Sequence, residues 1–258
     1  LTGGTDTGKQ VMAYAASSLK RLSLELGGND PAIVLPDMTA TPELARAIVR
    51  NAFYEGGQVC FAIKRVYAPR SLYRDLVREI EAATAEYRVG DGMDSRTTMG
   101  PVQNRSQWEW IRELAEEAKQ LGATVRSLGQ PVEGTDWDGG YFHLPMVVSE
   151  VPSTARVVQE EQFGPILPVL PYDSVEEAIA MANETPFGLR SSVWTRDPER
   201  GREVAARIRA GVTSINDHSF LPRECNFIGF NESGVGRESV RSGLEEYLFA
   251  HAVVTGDA

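Results

Sequence analysis

Apolar residues recur along this chain with two different periods, and segments of the two kinds follow one another almost throughout. Apolar residues spaced three and four apart predict helices, which lie at 8–19, 42–53, 72–87, 104–121, 175–183 and 197–211. Compact or alternating apolar runs predict strands, which lie at 21–26, 32–35, 64–68, 141–151, 166–170, 191–195, 212–216 and 248–255. Strands separated by helices of this length predict an α/β fold, with a largely parallel sheet flanked by helices.

Several predicted helices begin or end at residues that favour such a boundary. Thr41, Ser71 and Ser174 are predicted N-caps, because their hydroxyl groups can accept a hydrogen bond from the first helical turn. The glycine pair at 56–57 ends the helix that Thr41 begins. Cys60 is therefore predicted to lie on the loop that follows this helix.

Composition and charge narrow the classes of partner. The 258 residues carry a formal net charge of −10, which argues against binding to a phosphate backbone. No apolar stretch approaches the roughly 20 residues that a membrane-spanning helix needs, so no membrane partner is expected. The two cysteines and three histidines lack the spacing of a metal site. With so few cysteines a disulfide framework is not expected, and a cytoplasmic location is the default.

Two reactive side chains stand beside glycine pairs and together suggest covalent catalysis. Glu25 precedes Gly27 and Gly28, and Cys60 follows the pair at 56–57. A thiol that attacks a carbonyl and a carboxylate that activates water can form and then hydrolyse a thioester. Each residue also has an ordinary structural explanation. A single cysteine often serves as buried packing, and a glutamate at a strand end is usually solvated.

Six motifs in a fixed order carry a resemblance to a known family. They are Thr2-Gly3-Gly4-Thr5 with Gly8, Leu24-Glu25-Leu26-Gly27-Gly28, Gly57-Gln58-Val59-Cys60, Glu160-Glu161-Gln162-Phe163-Gly164-Pro165, Asn183 with Pro186-Phe187-Gly188-Leu189, and Ser233-Gly234-Val235-Gly236-Arg237-Glu238. In this order and spacing the chain resembles the C-terminal half of enzymes of the NAD(P)-dependent aldehyde dehydrogenase superfamily. The resemblance covers nearly the whole sequence. It implies oxidation of a small-molecule aldehyde to a carboxylic acid, with NAD or NADP as cofactor.

The same resemblance implies a role for each matching residue. Cys60 would be the nucleophile that forms a thiohemiacetal and then a thioester, and Glu25 would activate the water that hydrolyses this thioester. The remaining matches would be Gly3 and Gly4 near the cofactor pyrophosphate, Leu26 near the nicotinamide carboxamide, Glu161 at the nicotinamide ribose, Phe163 at the nicotinamide, and Phe227 in the substrate tunnel. The alternatives are a solvated acidic pair for Glu161 and core packing for the two phenylalanines.

The resemblance also implies how the chain is organised. Residues 1–27 would be a remnant of the Rossmann-like cofactor-binding domain, residues 28–230 the catalytic domain, and residues 231–258 a return segment with a C-terminal oligomerisation strand. A homo-oligomer, either a dimer or a tetramer, is therefore expected. No residue matches the family's adenosine-contacting lysine or its oxyanion-hole asparagine.

Two other functions stay open at this point. The segment 225–231 departs from the family pattern, which leaves the aldehyde unidentified. Together with the missing first half of the family's sequence, it motivates the alternative of a catalytically silent domain for binding or assembly. The pairing of Glu25 with Cys60 is also compatible with a hydrolase that cleaves thioesters or activated esters without NAD.

Overall fold

The computed structural model describes residues 1–219 and 222–256. The α-helices within these residues are α1 (Thr5–Ala16), α2 (Pro42–Ala52), α3 (Arg70–Thr84), α4 (Arg105–Gln120), α5 (Arg156–Gln159), α6 (Val175–Ala182), α7 (Pro198–Ala205) and α8 (Val240–Glu245). The strands are β1 (Leu24–Glu25), β2 (Asp30–Val34), β3 (Ile63–Pro69), β4 (Arg88–Val89), β5 (Thr124–Ser127), β6 (Gln130–Pro131), β7 (Met146–Ser149), β8 (Ile166–Tyr172), β9 (Arg190–Trp194), β10 (Val212–Ile215) and β11 (Gly234–Val235). Two 3₁₀ turns lie at Tyr54–Gly57 and Asn231–Ser233.

The main sheet has seven strands in the order β10-β9-β2-β3-β8-β7-β5. Its neighbouring strands run parallel except β5, which pairs antiparallel with β7 at one edge. The predicted α/β fold with a largely parallel sheet is therefore confirmed. Two small sheets, β1 with β11 and β4 with β6, lie outside the main one.

Alternating residues of the central strands supply two apolar cores, one on each face of the sheet. On β2, Ile33 belongs to the core that α4, α6 and α7 cover, whereas Ala32 and Val34 belong to the core covered by α2 and α3. Successive residues of a strand point to opposite faces, so a strand buried on both faces reads as a continuous apolar run. This burial explains why the central strands are visible in the sequence as compact runs.

The predicted caps are right in two cases and wrong in one. Thr41 and Ser174 accept hydrogen bonds from the first turns of α2 and α6. Ser71 is not a cap, because α3 begins one residue earlier, at Arg70, directly after Pro69 ends strand β3. Pro69 has a φ of −59°, which suits the residue before a helix, and no side chain caps that end.

Other differences from the sequence prediction concern segments that lack a pairing partner or stop early. The strand predicted at 248–255 has no regular secondary structure, because no strand of the described chain pairs with it. The strand predicted at 21–26 shrinks to Leu24–Glu25, and the helix predicted at 197–211 ends at Ala205.

No helix among the described residues has the length and apolar character needed to cross a membrane.

Three segments that lead into neighbouring strands place the candidate residues together. Residues 25–28 precede β2, the Cys60 loop precedes β3, and Glu161 precedes β8. These strands are adjacent and parallel, so the three segments meet at the amino edge of the sheet. Open α/β sheets more often hold ligands at the carboxyl edge.

Thr41, which caps α2, and Ser71, which caps no helix, allow a matched test of helix capping. Thr41→Ala removes the hydroxyl that accepts from the Leu44 amide at 3.3 Å, and we expect it to lower the free energy of unfolding by about 1 kcal/mol. Ser71→Ala, at an exposed residue that caps nothing, should change it by less than about 0.5 kcal/mol. Urea unfolding followed by circular dichroism measures both. Equal losses would show that Thr41 is not a cap.

Candidate active site

The segment that carries Glu25 is held between two other pieces of backbone. On one side, the Glu25 amide donates to the Leu1 carbonyl at 2.9 Å, and the Gly3 amide donates to the Glu25 carbonyl at 3.0 Å. On the other side, Glu25 pairs with Gly234 in the small antiparallel sheet. The glycine turn before α1 and the candidate base are therefore fixed to each other by backbone hydrogen bonds.

The Glu25 carboxyl group is buried and poorly solvated. The residue is 5% exposed, and its Oε2 atom has no hydrogen-bond partner among the described residues. Burial, together with the nearby charge of Glu238, raises the Glu25 pKa to about 7. A carboxyl group with this pKa can accept a proton near neutral pH, which an ordinary solvated glutamate does poorly.

Cys60 lies on the loop between α2 and β3, where the sequence predicted it. The 3₁₀ turn that follows α2 ends at Gly57, whose φ of +76° suits glycine and turns the chain towards Cys60. The thiol residue is half-buried and forms no disulfide. Burial, followed in order by the carboxylates of Asp30, Glu161 and Glu25, raises the Cys60 pKa to about 11.

Close packing at two glycines joins Glu161, the Glu25 segment and the Cys60 loop. Glu161 Oε1 accepts a hydrogen bond from the Gly28 amide at 2.9 Å. A Cβ atom on Gly28 would overlap the Cys60 carbonyl oxygen, and one on Gly27 would overlap the Glu161 carboxylate. The two glycines thus allow three segments, distant in sequence, to lie in direct contact.

The residues predicted to lie near a cofactor belong to three segments, namely the start of α1, the Glu25 segment and the segment before β8. Gly4 is the N-cap residue of α1 and is exposed, and no heavy atom lies within 4 Å of the position where its Cβ would be. Leu26 is buried beneath α1, where its side chain packs against Gly8. Phe163 is half-buried. A hydrogen bond of 3.2 Å from Trp110 Nε1 to the Glu161 carbonyl anchors the segment that carries both Glu161 and Phe163.

Phe227 approaches the nucleophile loop through an aromatic contact. Its ring packs against Phe61 in a T-shaped arrangement with centroids 6.2 Å apart, and Phe61 follows Cys60 directly. Reciprocal backbone hydrogen bonds of 3.0 and 2.9 Å join Phe227 to Glu238. This pair of hydrogen bonds therefore joins Phe227, which lies near Cys60, to Glu238, whose charge raises the Glu25 pKa.

Sequence reasoning did not identify the buried polar residues that support the nucleophile loop. His218 is fully buried, and its Nε2 atom donates to the Phe61 carbonyl at 2.8 Å while Nδ1 lies 3.0 Å from Ser192 Oγ. Arg65 donates to the Asn29 carbonyl at 2.9 Å. The adjacent Lys64 and Arg65 inside an apolar strand were the signal available in the sequence, because charged residues are rarely fully buried without a partner.

Metal ligation has no support in the part of the chain that the structure describes. Within residues 1–219 and 222–256, no group of three or more His, Cys, Asp or Glu side chains is arranged to hold a metal ion. The chemistry available at this edge of the sheet is that of a thiol, a carboxyl group of raised pKa and a second carboxylate.

Comparisons with known proteins agree with the family predicted from the motifs. The sequence profile of the aldehyde dehydrogenase family matches residues 1–253. A betaine aldehyde dehydrogenase of Brucella anthropi is 38% identical over 247 residues, covering 96% of this chain and 50% of that protein. One from Mesorhizobium japonicum is 36% identical, covering 100% of this chain and 53% of that protein. The chain thus spans about half the length of the curated relatives it matches.

Solved structures give the same result. A cysteine-to-alanine variant of aldehyde dehydrogenase C from Pseudomonas syringae, in complex with NAD⁺ and octanal, superimposes with a TM-score of 0.88 at 35% identity, covering 95% of this chain and 50% of that one. Betaine aldehyde dehydrogenase from Staphylococcus aureus, in complex with NAD⁺, superimposes with a TM-score of 0.89 at 33% identity, covering 96% of this chain and 49% of that one. Lactaldehyde dehydrogenase from Escherichia coli superimposes with a TM-score of 0.88 at 33% identity, covering 98% of this chain and 52% of that one.

The contact between Gly28 and Cys60 can be tested by adding one methyl group. Gly28→Ala forces the Cys60 carbonyl or the Glu25 segment to move, and we expect it to lower the free energy of unfolding by about 1–3 kcal/mol. Gly92→Ala is the matched control, because no heavy atom lies near its Cβ position, and it should have little effect. Denaturant unfolding compares the two variants. A Gly28→Ala variant as stable as Gly92→Ala would contradict the packing described here.

Proposed function

Because the chain belongs to the aldehyde dehydrogenase family, we propose that the protein carrying it oxidises an aldehyde to a carboxylic acid with NAD or NADP. The observation that supports this most strongly is the direct packing of Gly27 and Gly28 between Glu161 and the Cys60 loop. It brings a candidate base, a candidate nucleophile and a candidate ribose ligand to one edge of the sheet. The chain covers about half of its relatives, so the activity proposed is that of the whole protein.

The first role in this proposal belongs to Cys60. Its thiolate forms a bond to the aldehyde carbon, and the carbonyl oxygen takes the electron pair as an oxyanion, which the Cys60 amide N–H helps to hold. Loss of hydride from this carbon restores the carbonyl and leaves a thioester on Cys60. When bound, NAD or NADP supplies the acceptor for that hydride. The S–H bond must break before this attack and its proton pass to solvent, because the raised pKa of Cys60 keeps the thiol protonated at neutral pH.

Glu25 performs the second role, which is the release of product. Its carboxylate takes a proton from water as the water oxygen bonds to the thioester carbon, and the carbon–sulfur bond then breaks to give the acid and the Cys60 sulfur. The buried Oε2 atom and the pKa of about 7 suit a base that gains and loses a proton near neutral pH. For this step, water needs access only to the carbonyl carbon of the thioester.

Residues of the proposed cofactor site fit an anionic dinucleotide. The exposed N-terminus of α1, preceded by Gly3 and Gly4, offers backbone N–H groups and the positive end of the helix dipole, both of which favour a pyrophosphate. The Glu161 carboxylate can accept hydrogen bonds from ribose hydroxyl groups. The cofactor itself is supported by the NAD⁺ present in the related structures. In this proposal Leu26 and Phe163 would border its nicotinamide ring.

The substrate is proposed only as an aldehyde that reaches Cys60 beside an aromatic pair. The related proteins are named for betaine aldehyde and lactaldehyde, and one was solved with octanal, so the family accepts several aldehydes. Phe61 and Phe227 pack together next to the nucleophile and would contact the group attached to the aldehyde carbon.

We also propose that the protein is a homo-oligomer. Large apolar side chains near the C-terminus are exposed, namely Tyr247, Leu248, Phe249, Val253 and Val254. Contiguous exposed apolar residues commonly mark an interaction surface. Pairing of this segment, which lacks regular secondary structure, with a second copy would give its backbone further hydrogen bonds and cover these side chains.

Exchange of each cysteine tests the assignment of the nucleophile. Cys60→Ser should reduce NAD- or NADP-dependent aldehyde oxidation by at least about a hundredfold, because a serine hydroxyl is a far weaker nucleophile than a thiolate. Cys225→Ser, at an exposed position, should retain activity within about twofold. Absorbance of the reduced cofactor gives both rates. Activity that survives in Cys60→Ser would overturn the proposal, as would ester hydrolysis alone with no cofactor reduction.

The pKa of Glu25 predicts the pH dependence of product release. Folding raises this pKa from 4.5 to about 7, so the base is ionised above about pH 7 and protonated below it. Hydrolysis of the thioester should therefore rise about tenfold per unit up to that pH and then level off. Glu25→Gln should remove this dependence and slow the step by about 10²–10⁴. Rapid-quench kinetics measures the rate of the deacylation step at each pH. A pH profile that is unchanged in Glu25→Gln would show that another group is the base.

A further inference from the structure

His218 is a fully buried histidine that contacts the residue directly after the candidate nucleophile. It follows the end of β10, and its Nε2 atom lies 2.8 Å from the Phe61 carbonyl oxygen. A buried histidine needs a partner for each ring nitrogen, because an unpaired polar group away from water costs free energy. The chemistry proposed above uses no histidine, so the partners of this ring have another purpose.

The other ring nitrogen of His218 is held by a short series of hydrogen bonds from the sheet. Nδ1 lies 3.0 Å from Ser192 Oγ, and the indole Nε1–H of Trp194 donates to that same oxygen at 3.0 Å. Ser192 and Trp194 are alternate residues of β9, so their side chains lie on the same face of the sheet. An indole N–H can only donate, which leaves the hydroxyl proton of Ser192 available to Nδ1.

These contacts select one tautomer of the His218 ring. A carbonyl oxygen can only accept, so Nε2 carries the proton that reaches Phe61, and Nδ1 is then the acceptor for the Ser192 hydroxyl. The carboxylate of Asp30 favours the same arrangement, because its Oδ2 atom lies 3.6 Å from Nε2. The donors therefore all point one way, from Trp194 through Ser192 and His218 to the Phe61 carbonyl. We call this series the His218 hydrogen-bond chain.

Phe61 is fixed at its side chain as well as at its carbonyl. Its ring packs against the Phe227 ring with centroids 6.2 Å apart, and the guanidinium carbon of Arg190 lies 5.4 Å from the centroid of the Phe61 ring. With the carbonyl and the ring both held, the amide nitrogen of Phe61 also has a defined position. Its N–H forms a hydrogen bond that favours the Cys60 thiolate, against the burial and the carboxylates that raise the Cys60 pKa.

We propose that His218 is a positioning residue for Cys60, which fixes the Phe61 carbonyl and thereby holds the Phe61 N–H beside the reacting sulfur. The proposal rests on the assignment of Cys60 as the nucleophile. When the S–H bond breaks, its proton passes to solvent and the electron pair remains on sulfur, to which the N–H donates. His218 neither takes this proton nor forms a covalent bond.

The rate at which iodoacetamide alkylates Cys60 in the native protein, read by peptide mass spectrometry, tests this role. His218→Leu removes the donor to the Phe61 carbonyl and should slow alkylation about tenfold near pH 8, because the thiolate loses a fixed hydrogen bond. His218→Gln retains an N–H group that can reach the same carbonyl, and its rate should stay within about threefold of the wild-type rate.

The exposed Cys225 peptide in the same samples is an internal control and should react at an unchanged rate. A His218→Leu variant that reacts at Cys60 as fast as the wild-type protein, or faster, would overturn the proposal. A His218→Gln variant as slow as His218→Leu would do the same, because it would show that the hydrogen bond to the carbonyl is not what matters.

Ser192 provides a second test that leaves the histidine in place. Ser192→Ala removes the hydroxyl that binds Nδ1 and should slow Cys60 alkylation about threefold, because the ring is no longer held in one tautomer. Ser191→Ala is the matched control. Ser191 is equally buried, but its hydroxyl lies 2.7 Å from Thr213 Oγ1 and has no part in the chain, so the rate should not change.

The double variant distinguishes a connected series of hydrogen bonds from separate structural effects. If Ser192 acts through His218, Ser192→Ala should have no further effect on the alkylation rate in His218→Leu. Losses that multiply in the double variant would contradict the chain, as would equal losses in Ser191→Ala and Ser192→Ala.

None of these measurements uses an aldehyde or a cofactor. A protein that fails to oxidise aldehydes would therefore remove the proposed function, while the alkylation rates would still decide the role of His218. Conversely, wild-type alkylation rates in every variant, with aldehyde oxidation intact, would remove the role of His218 and leave the proposed function standing.

Discussion

The close contact between Gly28 and the Cys60 carbonyl is the constraint on which the rest of the candidate site depends. Residues 25–28, the loop before β3 and the segment that carries Glu161 come from three distant parts of the chain. They can touch only because Gly27 and Gly28 lack side chains, and the Gly28 amide then bonds to the Glu161 carboxylate. A larger residue at either glycine would separate the proposed base from the proposed nucleophile.

Buried polar groups complete what the glycines permit. His218 holds the Phe61 carbonyl, Lys64 holds the Gly57 carbonyl, and Arg65 holds the Asn29 carbonyl at the start of β2. Each of these donors gives a backbone carbonyl a hydrogen bond, which buried backbone polar groups require. The nucleophile loop is therefore fixed from both ends. Its surroundings are polar in an interior that is otherwise made of two apolar cores.

Sequence reasoning predicted the regular parts of this protein well. The apolar runs of the central strands and the caps at Thr41 and Ser174 are local signals, and they are sufficient to indicate an α/β fold with a largely parallel sheet. Ser71 was wrong because the position of Pro69 at the end of β3, rather than a side-chain cap, determines where α3 begins. The terminal segment was predicted as a strand, but a strand exists only where another strand pairs with it.

The candidate site was predicted less completely, for a physical reason. Glu25 and Cys60 were first indicated by the glycine pairs beside them, but their roles, and the identification of Glu161, came from the order of motifs and from resemblance to a family. Their approach at the amino edge of the sheet is a tertiary property, set by the adjacency of β2, β3 and β8. Lys64 and His218 act through their contacts with backbone carbonyls, which a sequence does not reveal.

The central claim is that Cys60 carries the acyl group and that Glu25 directs its hydrolysis. The most direct measurement is peptide mapping by mass spectrometry after turnover in the presence of an aldehyde and the cofactor is quenched with acid. We predict an acyl group on the Cys60 peptide, which raises the mass of that peptide by the mass of the aldehyde less two hydrogens, and a higher occupancy in Glu25→Gln than in the wild-type protein. Reduced cofactor formed without acylation of Cys60, or acylation at Cys225 instead, would contradict this account.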